Sequence, residues 1–196
     1  MDDLEQLNST IISEANQILH YHGLLQIMSR HGTPNLTGSY VLGLMTWRDL
    51  DIYLETNEMT EGKFFQLGSE LASCLKPHRM HYRNEFMGRT STLPAGLYWG
   101  IYTSSLGLPE EWKIDIWAID SKQVNTLQRQ LNELKARIDR DNRPPILAIK
   151  NHFCRHPEYR RKFTSSDIYS AVIEEAIESV GEFSRWLEVN KGISGE

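Results

Sequence analysis

Apolar residues recur at steps of three and four, or their multiples, at Ile11, Ala15, Ile18, Leu25 and Met28. That spacing lines up one face and predicts a helix over residues 4 to 30. His31-Gly32-Thr33-Pro34 breaks the pattern, and a short strand ending near Thr37 is expected after it. Asp49 to Leu54, rich in Leu, Ile and Tyr, reads as a second strand. Asn57 to Thr60 supplies helix-start chemistry. Phe64, Leu67, Leu71 and Leu75 then form an apolar stripe that stops at Pro77. Three more strands are predicted at His78 to Met87, Gly96 to Thr103 and Trp112 to Ile119.

After Asp120 the pattern turns helical. Val124, Leu127, Leu131, Leu134 and Ile138 predict a helix over Ser121 to Ile138. Pro144-Pro145 can open a short helix. Thr164-Ser165-Ser166-Asp167 reads as a cap before a helix from Ile168 to Val180, and Glu182 to Val189 as a last one. The expected class is α+β, a mixed β-sheet flanked by helices over residues 1–120. A helical C-terminal region over residues 121–196 follows it.

Composition narrows the function. The 196 residues are 40% hydrophobic, enough for a sizeable core. A net charge of -5 argues against a protein that coats long nucleic acid. No run of about 18 apolar residues is present, so no membrane span is expected. The acidic start MDDLEQLNST does not resemble a signal peptide. Cys74 and Cys154 lie far apart and are expected as free thiols in a reducing cytoplasm.

The second strand carries an anomaly. Residues at i and i+2 of a strand point the same way, so Asp49 and Asp51 project together while Leu50 and Ile52 face the core. Like charges so close need a cation between them, or one of them stays protonated. Mg²⁺, a hard ion that prefers oxygen ligands, is the common answer. Asp115 sits between Ile114 and Ile116 in another predicted strand, where Asp is disfavoured. If the two strands are neighbours, three carboxylates converge on a two-metal or metal-plus-base site. Gly38 allows close backbone approach to a ligand, and Ser39 offers a hydroxyl and an N–H ahead of a helix start at Tyr40 to Gly43.

Gly38-Ser39, nine residues, then Asp49-Leu50-Asp51-Ile52, with Ile114-Asp115-Ile116 on a later strand, resembles a known signature. It is that of the nucleotidyltransferase fold superfamily, the DNA polymerase β-like proteins. The likeness covers roughly residues 30 to 120. In style it is closest to the small bacterial nucleotidyltransferases that include aminoglycoside- and lincosamide-modifying enzymes. The resemblance implies a nucleotidyltransferase-like sheet and metal-dependent transfer of a nucleoside monophosphate, AMP by family habit. The donor would be a nucleoside triphosphate and the acceptor a small-molecule hydroxyl. It gives Gly38 and Ser39 the terminal phosphates, and Asp49, Asp51 and Asp115 the Mg²⁺ or Mn²⁺ ions. It also lets Asp115 take the acceptor's proton. A protein acceptor, as in the antitoxin-like members, and a nucleotide-binding protein without turnover are the alternatives. A homodimer is left open.

Other residues have two readings each. Arg48 could reach phosphate or be an exposed structural arginine. Lys113, on the same strand face as Asp115, could contact phosphate or neutralise the carboxylates. Tyr82, Tyr98, Trp99, Trp112 and Trp117 could stack on a base but individually suit sheet packing better. His152 and His156 share a helical spacing without an evident third ligand. Arg155, Arg160, Arg161 and Lys162 read as a solvated basic loop that could also grip an anion.

Overall fold

The computed structural model describes residues 2–194. Five strands form one mixed sheet: β1 (Thr33–Leu36), β2 (Asp49–Glu55), β3 (Arg79–Asn84), β4 (Leu97–Thr103) and β5 (Trp112–Ile119). Their order across the sheet is β1-β2-β5-β4-β3. Only β2 and β5 run parallel; every other pair is antiparallel. Strict alternation sorts the faces. Leu50, Ile52, Leu54, Ile114, Ile116, Trp99 and Ile101 are buried on one side, and the charged and aromatic residues between them lie on the other.

The apolar face is covered by α1 (Asp2–Asn16), α2 (Leu24–Met28) and α4 (Glu61–Leu75). The short α3 (Gly38–Leu42) links β1 to β2, and α5 (Glu85–Gly88) follows β3. Beyond β5 come α6 (Ser121–Arg137), α7 (Arg143–Phe153), α8 (Ser165–Glu175) and α9 (Val180–Lys191). These last helices enclose a second apolar cluster around Ile149, Phe153, Phe163, Ile168 and Phe183. Leu42 and Leu44 also enter that cluster, so the turn after α3 is gripped by the C-terminal helices.

Three boundaries differ from the sequence pattern, each for a local reason. The helix expected over residues 4 to 30 widens into a π-helical turn at Gln17–Tyr21 and breaks at Gly23, whose φ of 76° is left-handed. The strand expected through Met87 stops at Asn84. That side chain accepts hydrogen bonds from the N–H groups of Phe86 and Met87 and starts a helical turn. The helix expected through Val180 stops at Glu175, because Ala176 turns left-handed and Ser179 caps a new helix by accepting from the Glu182 N–H. The cap read at Thr164 to Asp167 is present as a reciprocal capping box.

One close contact fixes α4 on the sheet. The Trp99 indole donates to the Phe64 carbonyl at 3.0 Å and lies against Gly68, where an added Cβ would meet the ring at 2.8 Å. Alanine would favour the helix by about 1 kcal/mol, but overpacking costs about 1–3 kcal/mol. The ring is hydrogen-bonded and stacked on Phe64, so it cannot yield cheaply. Gly68→Ala is expected to lower stability by about 1–2 kcal/mol in urea denaturation, against its helix propensity.

Candidate active site

The parallel register between β2 and β5 places Asp51 directly beside Asp115, and Asp49 beside Lys113. The next strand sets Gly100 opposite Asp115, and β3 sets His81 opposite Gly100. Asp51, Asp115, Gly100 and His81 thus form one row across the open face. Oxygens of Asp49, Asp51 and Asp115 lie within 4.8 Å of one another, the one such grouping among the described residues.

Charge in this cluster is unevenly shared. Lys113 Nζ donates to Asp49 at 3.3 Å and closely to Asp115. Arg160 donates to the other Asp49 oxygen at 2.7 Å. Neither cation pairs with Asp51. Burial, then repulsion from Asp49 and Asp115, pushes the Asp51 carboxyl up to about 8. Burial and Asp49 also raise Asp115, against the opposing pull of Lys113 and Tyr98. Burial would depress the Lys113 ammonium, but Asp49 and Asp115 together hold it above its ordinary value. Three hard oxygen donors, one of them driven to keep a proton for want of a cation, suit Mg²⁺ or Mn²⁺.

Asp115 is also aimed from the side. The buried Tyr98 hydroxyl donates to Asp115 Oδ1 at 2.8 Å, reaching diagonally over Gly100. A Cβ at Gly100 would lie 2.5 Å from that hydroxyl and 2.3 Å from the His81 ring. Only a residue without a side chain leaves the path open.

The Gly38–Ser39 turn closes over the same carboxylates. Gly38 is left-handed at φ 62°, and a Cβ there would strike Asp51 Oδ2 at 2.5 Å. Ser39 Oγ accepts a 2.6 Å hydrogen bond from Lys150 Nζ. Lys150 is 0% exposed, lies 5.0 Å from the Trp47 ring centre, and gives a second hydrogen bond to the Tyr169 hydroxyl at 2.8 Å. No carboxylate pairs with it among the described residues. A pocket of about 230 Å³ opens here, lined by Gly38, Ser39, Asp49, Asp51, Ser165 and Ser166. Opposite the two carboxylates its walls carry the hydroxyls of Ser39, Ser165, Ser166 and Tyr169 and the Arg160 guanidinium, donors of the kind that bind phosphate oxygens.

Gly38, Ser39, Asp49, Asp51, Lys113 and Asp115 are therefore brought together. Arg48 is committed elsewhere: its guanidinium makes two bonds to Glu14, at 2.6 and 2.7 Å, and an ion pair to Glu110 at 3.0 Å. His152 and His156 do not share a helix face, because α7 ends at Phe153. The His156 ring is occupied by the Glu158 N–H and the Ser194 carbonyl. Of the aromatics, Trp99 and Trp112 pack in the core and Tyr98 serves the site. Lys150 and Tyr169 were not readable as site residues. The available signal was a lysine on the apolar stripe of Ile146, Leu147 and Phe153.

No protein-family model matches the chain, and no curated protein matches it. The fold is nevertheless shared with several solved structures of nucleotide-transferring enzymes. One is a cytoplasmic RNA terminal U-transferase, with TM-score 0.57 and 13% identity over 90% of this chain and 55% of that one. Another is Cid1, an RNA terminal uridylyl transferase, with TM-score 0.55 and 15% identity over 82% of this chain and 48% of that one. A third is the non-canonical poly(A) polymerase complex of GLD-2 and GLD-3, with TM-score 0.55 and 16% identity over 99% of this chain and 62% of that one. The chain spans about half the length of the first two. At such identities the likeness is one of fold.

The raised Asp51 sets a pH dependence. An unfolded Asp releases its proton near 3.8, the folded one near 8. Between these values the folded state holds a proton that the unfolded state has lost, so this contribution to stability is complete below about pH 4 and drains away up to about pH 8. In chelator-treated protein, Asp51→Asn is expected to abolish that loss. Urea melts should find it more stable than wild type at pH 8 by at least about 1 kcal/mol.

Proposed function

We propose that this chain transfers a nucleoside monophosphate, AMP in the first instance, from a nucleoside triphosphate to a hydroxyl of a small molecule. The observation that carries the reading is the convergence of Asp49, Asp51 and Asp115 against the Gly38–Ser39 turn. Asp49, Asp51 and Asp115 hold divalent ions, Mg²⁺ or Mn²⁺. Bound ions of this kind offset the charge that builds on phosphoryl oxygens during displacement. Gly38 lets the backbone approach the terminal phosphates, and Ser39 donates to them. Lys150 supplies fixed positive charge behind Ser39. Lys113 and Arg160, now counter-ions of Asp49 and Asp115, would be free for phosphate oxygens with those carboxylates holding metal. Arg48 supports the loop through Glu14 and takes no phosphate.

In the step itself, the acceptor hydroxyl oxygen attacks the α-phosphorus and forms a new P–O bond. The bond from the α-phosphorus to the bridging oxygen breaks, and pyrophosphate leaves with that electron pair. The hydroxyl proton passes to the Asp115 carboxylate, whose direction Tyr98 holds. Cys74 and Cys154, both unpaired, suit a reducing cytoplasm. The second reading is an RNA 3′ hydroxyl as acceptor, favoured by neighbours that act on RNA. The chain's net charge of -5 weighs against a long nucleic acid.

Two measurements test this. Mn²⁺ with ATP at about 100 times the dissociation constant is expected to raise the melting temperature by about 5–10 °C, and Asp49→Asn to abolish the rise. Absence of the rise in wild type defeats the reading. Pyrophosphate release with hydroxyl acceptors should fall at least about 100-fold in Asp115→Asn. Lys150→Met should weaken ATP binding about tenfold or more while Asp115→Asn leaves turnover, not nucleotide binding, as the main loss.

A further inference from the structure

The larger cavity lies beside the Gly38–Ser39 pocket. It is a cleft of about 760 Å³ whose lining includes Thr46, Trp47, Tyr102, Lys113, Arg155 and Arg160. Trp47, Tyr159 and Arg160 line both cavities and stand between them. That wall is built: Trp47 and Tyr159 meet edge to face at 5.2 Å, and Arg160 lies 5.8 Å from each ring centre while it bonds Asp49. Trp47, Tyr159 and Arg160 therefore separate the small pocket, which holds Asp49 and Asp51, from a wide cleft.

We propose that the wide cleft is the acceptor site and that the acceptor is a small anion, a hydroxyl compound bearing a phosphate or carboxylate group. This rests on the nucleotidyl transfer proposed above. Displacement at phosphorus places the entering and leaving oxygens on opposite sides. With pyrophosphate at Ser39, the entering hydroxyl comes from across Asp49 and Asp115, where Lys113 and Arg160 open onto the cleft. A volume of about 760 Å³ is of small-ligand size.

The charge of the wall selects the ligand. The cations Arg48, Lys113, Arg155 and Arg160 and the carboxylates Glu110 and Glu111 line the cleft, Arg48 being already neutralised by Glu14. Glu110 is engaged by Arg48 and Glu111 by His78. Arg155 makes no ion pair among the described residues. Lys113 and Arg160 line the same cleft. A chain of net charge -5 thus keeps a cationic cleft beside its carboxylates.

The test is isothermal titration of the full chain, loaded with Mn²⁺ and a non-hydrolysable ATP analogue. The probes are a panel of sugar phosphates and hydroxy acids, the parent neutral sugars, kanamycin as a cationic polyol, and a short single-stranded RNA. At least one anionic probe is expected to bind ten times or more tighter than its neutral parent, with phosphates and hydroxy acids separating the two sources of charge. Arg155→Glu, at an exposed position without an ion pair, should weaken that binding at least tenfold. It should change the affinity for the ATP analogue less than twofold. Silence across the anions, tighter binding of kanamycin, or binding of the RNA alone overturns the proposal. So does a loss of ATP-analogue affinity in Arg155→Glu, which would make the cleft the donor's nucleoside site. Failure of the ATP analogue to bind wild type at all refutes nucleotidyl transfer itself, and this inference with it.

Discussion

Everything at the candidate site depends on the parallel pairing of β2 with β5. It sets Asp51 against Asp115 in one row of the sheet, a like-charge pair that the strands would not choose for themselves. The opposite face of the same strands holds them there. Leu50, Ile52, Ile114 and Ile116 are fully buried against the helices, and a slip of one residue would turn that whole set outward. Hydrophobic burial on one side therefore enforces electrostatic strain on the other.

The strain is divided between provisional partners. Lys113 spans two carboxylates and Arg160 takes a third oxygen, which leaves Asp51 uncovered. The two halves of the chain meet over this cluster. The sheet supplies the acids, and the region after β5 supplies Arg160, Lys150 and the hydroxyls of Ser165 and Tyr169. Packing of Leu42 and Leu44 into the second apolar cluster ties the Gly-Ser turn to that region, so the polar groups that both halves bring to the pocket are held by one core.

What could be read from the sequence was local. Asp49 and Asp51 announce a shared face because strand periodicity is two, and Gly38-Ser39 lies close enough to be seen with them. The lone Asp115 stood out because it sits among isoleucines. The adjacency of its strand to β2 was not in the pattern, since register is decided by long-range pairing. Lys150 lies 111 residues from Ser39, a separation that local periodicity does not bridge. The breaks at Gly23 and Asn84 were written in single residues that periodicity averages over. Gly100 carried no signal at all, because its contribution is the room it leaves.

That last residue has a wider consequence. Tyr98 reaches Asp115 across a gap only as large as a missing methyl group. The reactive geometry is thus encoded partly as unoccupied volume, and a substitution search scored by chemical groups would pass over it. In this fold the most conservative change by composition, one methyl added to the middle of a strand, would act on the carboxylate without removing any atom that touches it.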